Sequence, residues 1–195
     1  ISPQALQAAK ALLLLSPAIP LLFMGEECDS ETPFLFFTDF EDGLAEAVRE
    51  GRRSEFAGFA AFADPSIRAQ IPDPNCQKTF FKSIPRAPSK SVALDARARL
   101  ASLLLTRRVE LVPRLPGCYS IGAEQIAAKA FVARWRLNDG CVLRIACNLG
   151  VGSAERPPMV KLATLIHQSQ GGAAFQWAHG ELPGMTTIVE LLGQP

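Results

Sequence analysis

Hydrophobic residues at the start of the chain form two patterns that predict a helix followed by a short buried strand. Residues 3–15, PQALQAAKALLLL, are mostly strong helix formers, with Ser2 as a candidate N-cap and Ser16-Pro17 as the stop. Residues 19–24 are almost entirely apolar and end at Gly25, which is typical of a buried parallel strand. A helix followed directly by such a strand is half of a β/α repeat, so we expect α/β structure here.

Two more helices are predicted further along, on either side of an irregular stretch. Residues 42–59 carry the pattern LAEAVREGRRSEF, in which Leu44, Val48 and Phe56 can share an inner face. Residues 63–89 contain five prolines, so we expect an irregular surface excursion. A second amphipathic helix is expected over residues 91–108. Its apolar set is Ala93, Leu94, Ala98, Leu100, Ala101, Leu104 and Leu105.

From residue 109 onward, short strands alternate with turn signals. Residues 129–137 alternate partly between apolar and charged side chains, and Asn138-Asp139-Gly140 is a strong hairpin signal before the next strand. Residues 159–166 and 186–192 repeat the strand pattern, with turns expected at Gly171-Gly172 and Pro183-Gly184. This part predicts a small antiparallel β-sandwich or half-barrel.

Composition narrows the possible partners. The chain has 195 residues, 48% of them hydrophobic, with 20 basic and 19 acidic side chains, so neither nucleic acid nor an anionic membrane surface is an expected partner. Its apolar runs are interrupted by prolines and fall short of a bilayer span. Five cysteines without a CxxC pair suggest neither a zinc site nor a disulfide framework. We therefore expect free thiols, a cytoplasmic location and no metal or other cofactor.

The candidate chemistry begins where the apolar run stops at Gly25. Several carboxylates follow within a short loop: Glu26, Glu27, Asp29, Glu31 and Asp39. Paired carboxylates are what glycoside hydrolysis requires. For any single one of them, however, a structural hydrogen bond or a solvated position is the favoured interpretation.

Other residue types have two possible roles as well. Arg49, Arg52 and Arg53 could bind a phosphate or carboxylate, but salt bridges to Glu46, Glu50 or Glu55 are the favoured role. The loop phenylalanines, which could stack on a sugar, are expected to be mostly core; they are Phe34, Phe36, Phe37 and Phe40. Trp135 and Trp177 could form a sugar platform, although core packing is favoured for Trp135. His167 and His179 belong to no recognisable catalytic motif.

Three segments together carry a family resemblance: PLLFMGEE at 20–27, PFLFFTDF at 33–40 and VREGRRSEF at 48–56. They resemble the C-terminal part of the malto-oligosyltrehalose trehalohydrolases, within the α-amylase family of glycoside hydrolases. The resemblance continues through IPDPN at 71–75, Thr79-Phe80, Arg107-Arg108 and VPRL at 112–115. The β-rich tail resembles the family's C-terminal β domain only in position and pattern.

The resemblance implies the end of a (β/α)8 barrel, with its eighth strand over residues 19–24, followed by a small antiparallel β-sandwich domain. The implied boundary separates residues 1–108 from 109–195. Enzymes of this family retain configuration while they cleave the α-1,4 bond next to the trehalose end of maltooligosyl trehalose. Their three catalytic carboxylates precede the eighth strand, so no catalytic residue maps onto this sequence. Glu26, Glu27 and Asp39 are the implied substrate-binding residues, at the mouth of the barrel.

The sequence also departs from the family pattern. Cys28 stands where relatives usually carry a large aromatic residue, and KSIPRAPSK at 82–90 replaces an expected Leu-Asp-Trp. Because the chain opens at Ile1, it is expected to be a fragment, inactive without the missing N-terminal part of the same enzyme. The alternative is a non-catalytic module that binds α-glucan or a partner protein. In either case a bare eighth strand would expose an apolar edge that promotes association.

Overall fold

The computed structural model describes residues 1–156 and 163–193, which form two compact units: residues 1–21 with those from 99 onward, and residues 22–98. The helices are α1 (Pro3–Leu15), α2 (Asp42–Phe56), α3 (Pro65–Arg68), α4 (Gln77–Ser83), α5 (Lys90–Thr106) and α6 (Ala173–Ala178). The strands are β1 (Tyr119–Ala127), β2 (Ala130–Arg136), β3 (Val142–Asn148), β4 (Ala154–Glu155), β5 (Ala163–Gln168), β6 (Glu181–Leu182) and β7 (Thr186–Leu192). Over these described residues, no helix has the length and apolar character needed to cross a membrane.

The first unit, called here the sheet unit, is built on a five-stranded antiparallel sheet with the order β1-β2-β3-β7-β5. The predicted hairpin between β2 and β3 is confirmed, and Gly140 adopts the left-handed conformation, with a φ of +85°. The Asp139 carboxylate fixes this turn, because it accepts hydrogen bonds from Cys141 N at 3.0 Å and from Arg114 Nε at 2.8 Å. The strand expected over 186–192 is also confirmed, as β7.

Helix α1 covers one face of this sheet. It begins as predicted, since the Ser2 hydroxyl accepts a hydrogen bond from Ala5 N at 3.2 Å. Ala8 and Leu14 are among its wholly buried residues, and the Thr187 hydroxyl of β7 donates to the Ala8 carbonyl at 2.8 Å. The face of α1 that the sequence makes apolar therefore packs on the sheet.

The buried Arg107 side chain caps the C-terminal end of α1. A π-helical turn, Arg107–Leu111, follows α5 and brings the Arg107 guanidinium to three carbonyl groups. It donates to Leu14 O at 2.8 Å, Ser16 O at 2.6 Å and Ala18 O at 2.8 Å. These bonds supply partners for carbonyls that a helix end leaves unpaired. Burial lowers the pKa of Arg107.

The opposite face of the sheet packs against α6 and a two-stranded ribbon of β4 and β6. Val132, Ala146 and Ile188 lie opposite one another in β2, β3 and β7 and are buried in one cluster with Trp177 and Leu182. This period-two arrangement puts alternate side chains of each strand on the same face. The second layer is therefore a helix and a short ribbon, not the second full sheet of the expected sandwich.

A buried ion pair lies on that face. Arg144 and Glu190 are register partners in β3 and β7, and two guanidinium nitrogens of Arg144 reach Glu190 Oε2 at 2.6 and 2.9 Å. Trp177 Nε1 donates to the same oxygen at 2.9 Å. The side chains of Arg144 and Glu190 are only 3% and 10% exposed, so each charge depends on this pairing.

The second unit, residues 22–98, contains α2, α3, α4 and the first half of α5, joined by irregular segments. No residue of α2 is buried. A chain of phenylalanine rings crosses the unit with neighbouring centroids 4.9–5.6 Å apart. Its members are Phe23, Phe34, Phe37, Phe80 and Phe81. Edge-to-face ring contacts thus take the place of a closed apolar core.

The strand expected over residues 19–24 is not formed. Ile19 is 95% exposed and Leu21 is 86% exposed. A buried parallel strand needs hydrogen-bonded neighbours, whereas every strand pair among the described residues is antiparallel and lies between residues 119 and 192. The segment therefore keeps the apolar sequence of a buried strand without strand structure.

Other expectations are corrected in detail. The proline-rich stretch 63–89 includes α3 and α4, and α2 ends at Phe56 rather than at residue 59. In α5 the buried positions are Ala93, Ala96, Leu100 and Leu103, whose spacing of three and four residues follows one helix face. Leu94, Leu104 and Leu105 of the expected apolar set are exposed.

Two expectations concern segments or boundaries that the fold leaves open. Of the strand expected over 159–166, residues 163–166 belong to β5, and residues 159–162 lie outside the described part. The division into 1–108 and 109–195 stays a prediction. Along the chain, the two compact units are divided after residue 21 and again after residue 98.

Candidate functional site

The Gly25-Glu26-Glu27 motif forms a tight turn in which glycine is required. Gly25 has a φ of +93°, and a Cβ there would lie 2.9 Å from Cβ of both Pro85 and Ser30. Gly25 O accepts hydrogen bonds from Ser30 N at 3.0 Å and from Cys28 N at 3.2 Å. A 3-10 turn, Glu26–Cys28, results, and it buries the Cys28 side chain.

The two carboxylates of this motif have different surroundings. Glu26 is half-buried, whereas Glu27 is exposed. Glu27 Oε2 accepts a hydrogen bond from Gly25 N at 2.9 Å, so this carboxylate stabilises the turn that carries it. The structural interpretation of a single carboxylate therefore fits Glu27, while one oxygen of that group remains available to a ligand.

Asp39, the third predicted substrate-binding residue, lies in a separate loop that Asn75 holds in place. Asn75 Oδ1 accepts from the Thr38 hydroxyl at 2.9 Å and from Phe40 N at 3.0 Å, and Asn75 Nδ2 donates to Ala45 O at 3.2 Å. The exposed Asp39 side chain is thus flanked by two residues fixed to one amide. The structure places Glu26 and Glu27 in one turn and Asp39 in another loop of the same unit.

Asp73 connects the Asn75 loop to α2. Its Oδ1 accepts from Asn75 N at 3.0 Å, and its Oδ2 accepts from Arg49 Nε at 2.9 Å. The side-chain hydrogen bond to Asp73 raises the pKa of Arg49, which also pairs with Glu46. IPDPN, FFTDF and VREGRR, three of the segments that carry the resemblance, therefore meet through these side chains.

The remaining arginines of α2 are also paired. Arg52 contacts Glu55 at 3.0 Å, and its guanidinium lies 4.7 Å from the ring centroids of both Phe36 and Phe56. Arg53 contacts Glu50 at 2.7 Å. The predicted salt bridges are confirmed, and each of these guanidinium groups has a carboxylate partner within the helix.

The aromatic expectations are corrected in both units. Phe34 and Phe40 are 45% and 43% exposed, so the expectation that they belong to the core is wrong for these two rings. Trp177 is completely buried and donates to Glu190, which excludes it from a sugar-stacking platform. His167 lies in β5 beside a small cleft of about 160 Å³, and burial lowers its pKa.

Sequence reasoning found the segments of this site but not the residues that organise it. Asn75 and Asp73 belong to the IPDPN segment, but their roles depend on partners 24 to 37 residues away. Asp73-Pro74-Asn75 is a local turn signal, but it does not indicate the distant partners of these side chains. Among the described residues, no cluster of three histidine, cysteine, aspartate or glutamate side chains is suited to hold a metal ion.

Part of this chain is similar to malto-oligosyltrehalose trehalohydrolases. The chain is 46% identical over 77 residues to the malto-oligosyltrehalose trehalohydrolase of Deinococcus radiodurans, an alignment that covers 40% of this chain and 12% of that protein. Against the enzyme of the same name from Arthrobacter ramosus it is 47% identical over 79 residues, covering 40% and 13%. The resemblance to malto-oligosyltrehalose trehalohydrolases is confirmed.

Two further comparisons concern the fold. The domain of unknown function DUF3459 matches residues 120–189, which contain most of the sheet. A candidate α-amylase from Salmonella typhimurium superposes with a TM-score of 0.76 at 33% identity, covering 97% of this chain and 31% of that one. The trehalulose synthase of Pseudomonas mesoacidophila superposes with a TM-score of 0.58 at 16% identity, covering 97% and 38%. The chain therefore spans about a third of these solved relatives and aligns with about an eighth of the trehalohydrolases.

Proposed function

We propose that this chain forms part of a retaining glycoside hydrolase that cleaves the α-1,4 bond next to the trehalose end of maltooligosyl trehalose and releases trehalose. The observation that carries the proposal is the identity of 46–47% to two trehalohydrolases over nearly 80 residues. The catalytic nucleophile and the acid/base are assigned to the rest of the enzyme. By itself, the chain is proposed to be inactive.

The geometry of residues 22–98 supports a role beside the substrate. Glu26, Glu27 and Asp39 are presented on turns that Gly25 and Asn75 fix, and such preorganised polar groups suit recognition of sugar hydroxyls. Carboxylates accept hydrogen bonds from hydroxyl groups, so each can orient a glucose unit without taking part in bond cleavage. In this proposal the three residues bind substrate and perform no chemistry.

The reaction is tested with a chimera in which residues 1–195 replace the C-terminal part of the Deinococcus radiodurans trehalohydrolase, the part that contains the 77 aligned residues. We expect the chimera to release trehalose from maltotriosyl trehalose, while the chain alone releases none. The parent enzyme and a version lacking the region are the controls, and circular dichroism establishes that the chimera is folded. A folded chimera that hydrolyses maltooligosaccharides but releases no trehalose would contradict the proposed specificity.

The binding residues are tested in the same chimera. Asp39→Asn and Glu26→Gln should raise KM for maltotriosyl trehalose and leave trehalose as the product, because uniform binding is lost. Glu50→Gln on α2 is the matched control, since the exposed Glu50 carboxylate pairs with Arg53, outside the contacts of Asp73 and Asn75 that hold the Asp39 loop. If all three variants behave alike, the assignment of Asp39 and Glu26 to substrate binding fails.

The alternative is a module that binds α-glucan or a partner without catalysis. One observation favours it: the apolar side chains of Ile19 and Leu21 are exposed at 95% and 86%, as an association surface would require. Binding of maltoheptaose by the chain alone, together with an inactive but folded chimera, would support this alternative over the hydrolase.

A further inference from the structure

An open cleft of about 770 Å³ lies within residues 22–98, and its lining includes none of Glu26, Glu27 and Asp39. It is bordered by the loop at 31–33, by α4 and by the segment at 84–88. The segment 82–90 is also where the sequence departs from the trehalohydrolase pattern. Part of the lining of the cleft, residues 84–88, therefore lies in the segment expected to depart from that pattern.

The lining of the cleft is strongly cationic for a nearly neutral chain. Lys78, Lys82 and Arg86 line it, and Glu31 is the one carboxylate among the lining residues. None of the three cations has an ion-pair partner among the residues that the structure describes. Lys78 and Lys82 are four residues apart on α4, so their charges repel each other. A bound anion would relieve this repulsion.

Hydrogen bonds hold the walls of the cleft in place. The Ser83 hydroxyl, at the end of α4, donates to Thr79 O at 2.9 Å and accepts from Leu35 N at 3.1 Å. Arg86 N lies 3.1 Å from the hydroxyl oxygens of both Ser30 and Thr32. Because both walls are tied to the loop at residues 30–35, the cleft exists before any ligand binds, and little ordering is needed.

The cleft also offers an apolar surface. Phe81 is 52% exposed and Ile84 is 38% exposed, and both line the same space as the lysines. An exposed ring beside positive charges suits a ligand with one anionic end and one face of C–H groups. Inorganic anions lack the second feature, and neutral sugars lack the first.

We propose that this cleft binds a phosphorylated sugar, with the phosphate on Lys78, Lys82 and Arg86 and the sugar ring on Phe81. The choice of a sugar rests on the proposed function, whereas the choice of an anion rests on the cleft alone. The site is separate from the proposed substrate-binding residues and takes no part in bond cleavage. It would let a sugar phosphate bind to the enzyme away from the substrate.

Isothermal titration of the 195-residue chain tests the proposal, with glucose 6-phosphate, glucose and inorganic phosphate as the probes. We expect glucose 6-phosphate to bind at least about tenfold more tightly than either of the others, and more weakly as salt rises. Equal affinity for glucose 6-phosphate and inorganic phosphate would overturn the assignment of a sugar. No binding of any probe would overturn the site, while the hydrolase proposal, tested by trehalose release, would stand.

Two variants in the cleft, Lys82→Gln and Phe81→Ala, and one control outside it test whether the ligand binds in this cleft. Lys82→Gln should weaken glucose 6-phosphate binding by about fivefold, whereas Lys90→Gln, an exposed lysine outside the cleft, should leave it unchanged. Phe81→Ala should weaken glucose 6-phosphate binding and leave inorganic phosphate binding as it is. Equal losses in Lys82→Gln and Lys90→Gln, with both variants folded by circular dichroism, would show that the ligand binds elsewhere.

Discussion

The sheet unit contains a core of fully buried large apolar side chains, whereas residues 22–98 leave their large apolar side chains half-buried or exposed. Among the described residues, all twelve of the largest fully buried side chains, from Trp177 and Leu14 to Thr186, belong to the sheet unit. In residues 22–98 the large apolar side chains include phenylalanines such as Phe34, which is 45% exposed. Apolar burial is the dominant favourable term in folding, so the two units differ in what stabilises them.

Hydrogen bonds and ion pairs make up a larger share of the stabilising interactions in residues 22–98 than in the sheet unit. Asn75, Asp73 and Ser83 each connect segments that are far apart in sequence; Asn75 and Asp73 are half-buried, and Ser83 is buried at the end of α4. A net hydrogen bond contributes only about 1 kcal/mol, so a unit held mainly in this way opens locally more easily.

The largest effect is expected in the sheet unit, at its buried ion pair. Glu190→Gln should lower the free energy of unfolding by about 3 kcal/mol or more, because the buried Arg144 guanidinium would lose the carboxylate that it contacts at 2.6 Å. The matched control, Glu124→Gln, removes a carboxylate that is 61% exposed and should change stability by no more than about 0.5 kcal/mol. Chemical denaturation measures both, and equal effects would contradict the role given to burial.

The next effect concerns the Asn75 clamp. Asn75→Ala should make the loop at residues 38–40 open more readily by about 2 kcal/mol, since Thr38 and Phe40 lose their shared acceptor. Asn75→Asp keeps that acceptor but loses the donor to Ala45 O, so its effect should be intermediate. Amide hydrogen exchange at Phe40 reports the change. Faster exchange throughout the sheet in the same variant would show that the effect is not local.

A smaller effect is expected at the turn of the candidate site. Gly25→Ala should destabilise the chain by about 1–3 kcal/mol, because its Cβ would meet Pro85 and Ser30 at 2.9 Å in a left-handed conformation. Gly51→Ala is the control with the opposite sign. Its Cβ would meet nothing within 4 Å inside α2, so a gain of about 0.5–1 kcal/mol is expected. Thermal denaturation distinguishes the two.

The smallest effect is a pH dependence in the sheet unit. Burial lowers the pKa of His167, so the folded chain binds this proton less readily than the unfolded chain. The stability associated with neutral His167 is present above the unfolded pKa of about 6.5 and declines as pH falls below it. His167→Gln should reduce the loss of stability on going from neutral pH to about pH 5.5. Urea denaturation at both pH values tests this.

The sequence predicted the elements whose signals are local. Helix α1 begins after Ser2 and ends before Ser16-Pro17, and Asn138-Asp139-Gly140 forms the turn of the hairpin between β2 and β3. Caps and turns depend on neighbouring residues, so the sequence could predict them. The strand over residues 19–24 failed for the opposite reason, since a strand depends on partners elsewhere. The burial of Trp177 was missed in the same way: its partner, Glu190, is thirteen residues away on another element.

The candidate site followed the same division. Gly25 and the carboxylates beside it could be recognised from the motif, but the function of Asn75 required its contacts with Thr38 and Ala45, 37 and 30 residues away. Glu27 follows the favoured structural interpretation, since its carboxylate accepts a local hydrogen bond from Gly25 N. Local pattern thus located the site, and long-range hydrogen bonds determined its geometry.

The comparison of the two units leads to one direct measurement. If residues 22–98 complete the body of a glycosidase, they should gain stability when the rest of that body is present. Amide hydrogen exchange is measured for the 195-residue chain and for its chimera with the Deinococcus radiodurans trehalohydrolase. We predict slower exchange in α2 and at residues 38–40 of the chimera, by about tenfold or more, with β3 and β7 unchanged. Equal exchange in α2 in both proteins would contradict the account.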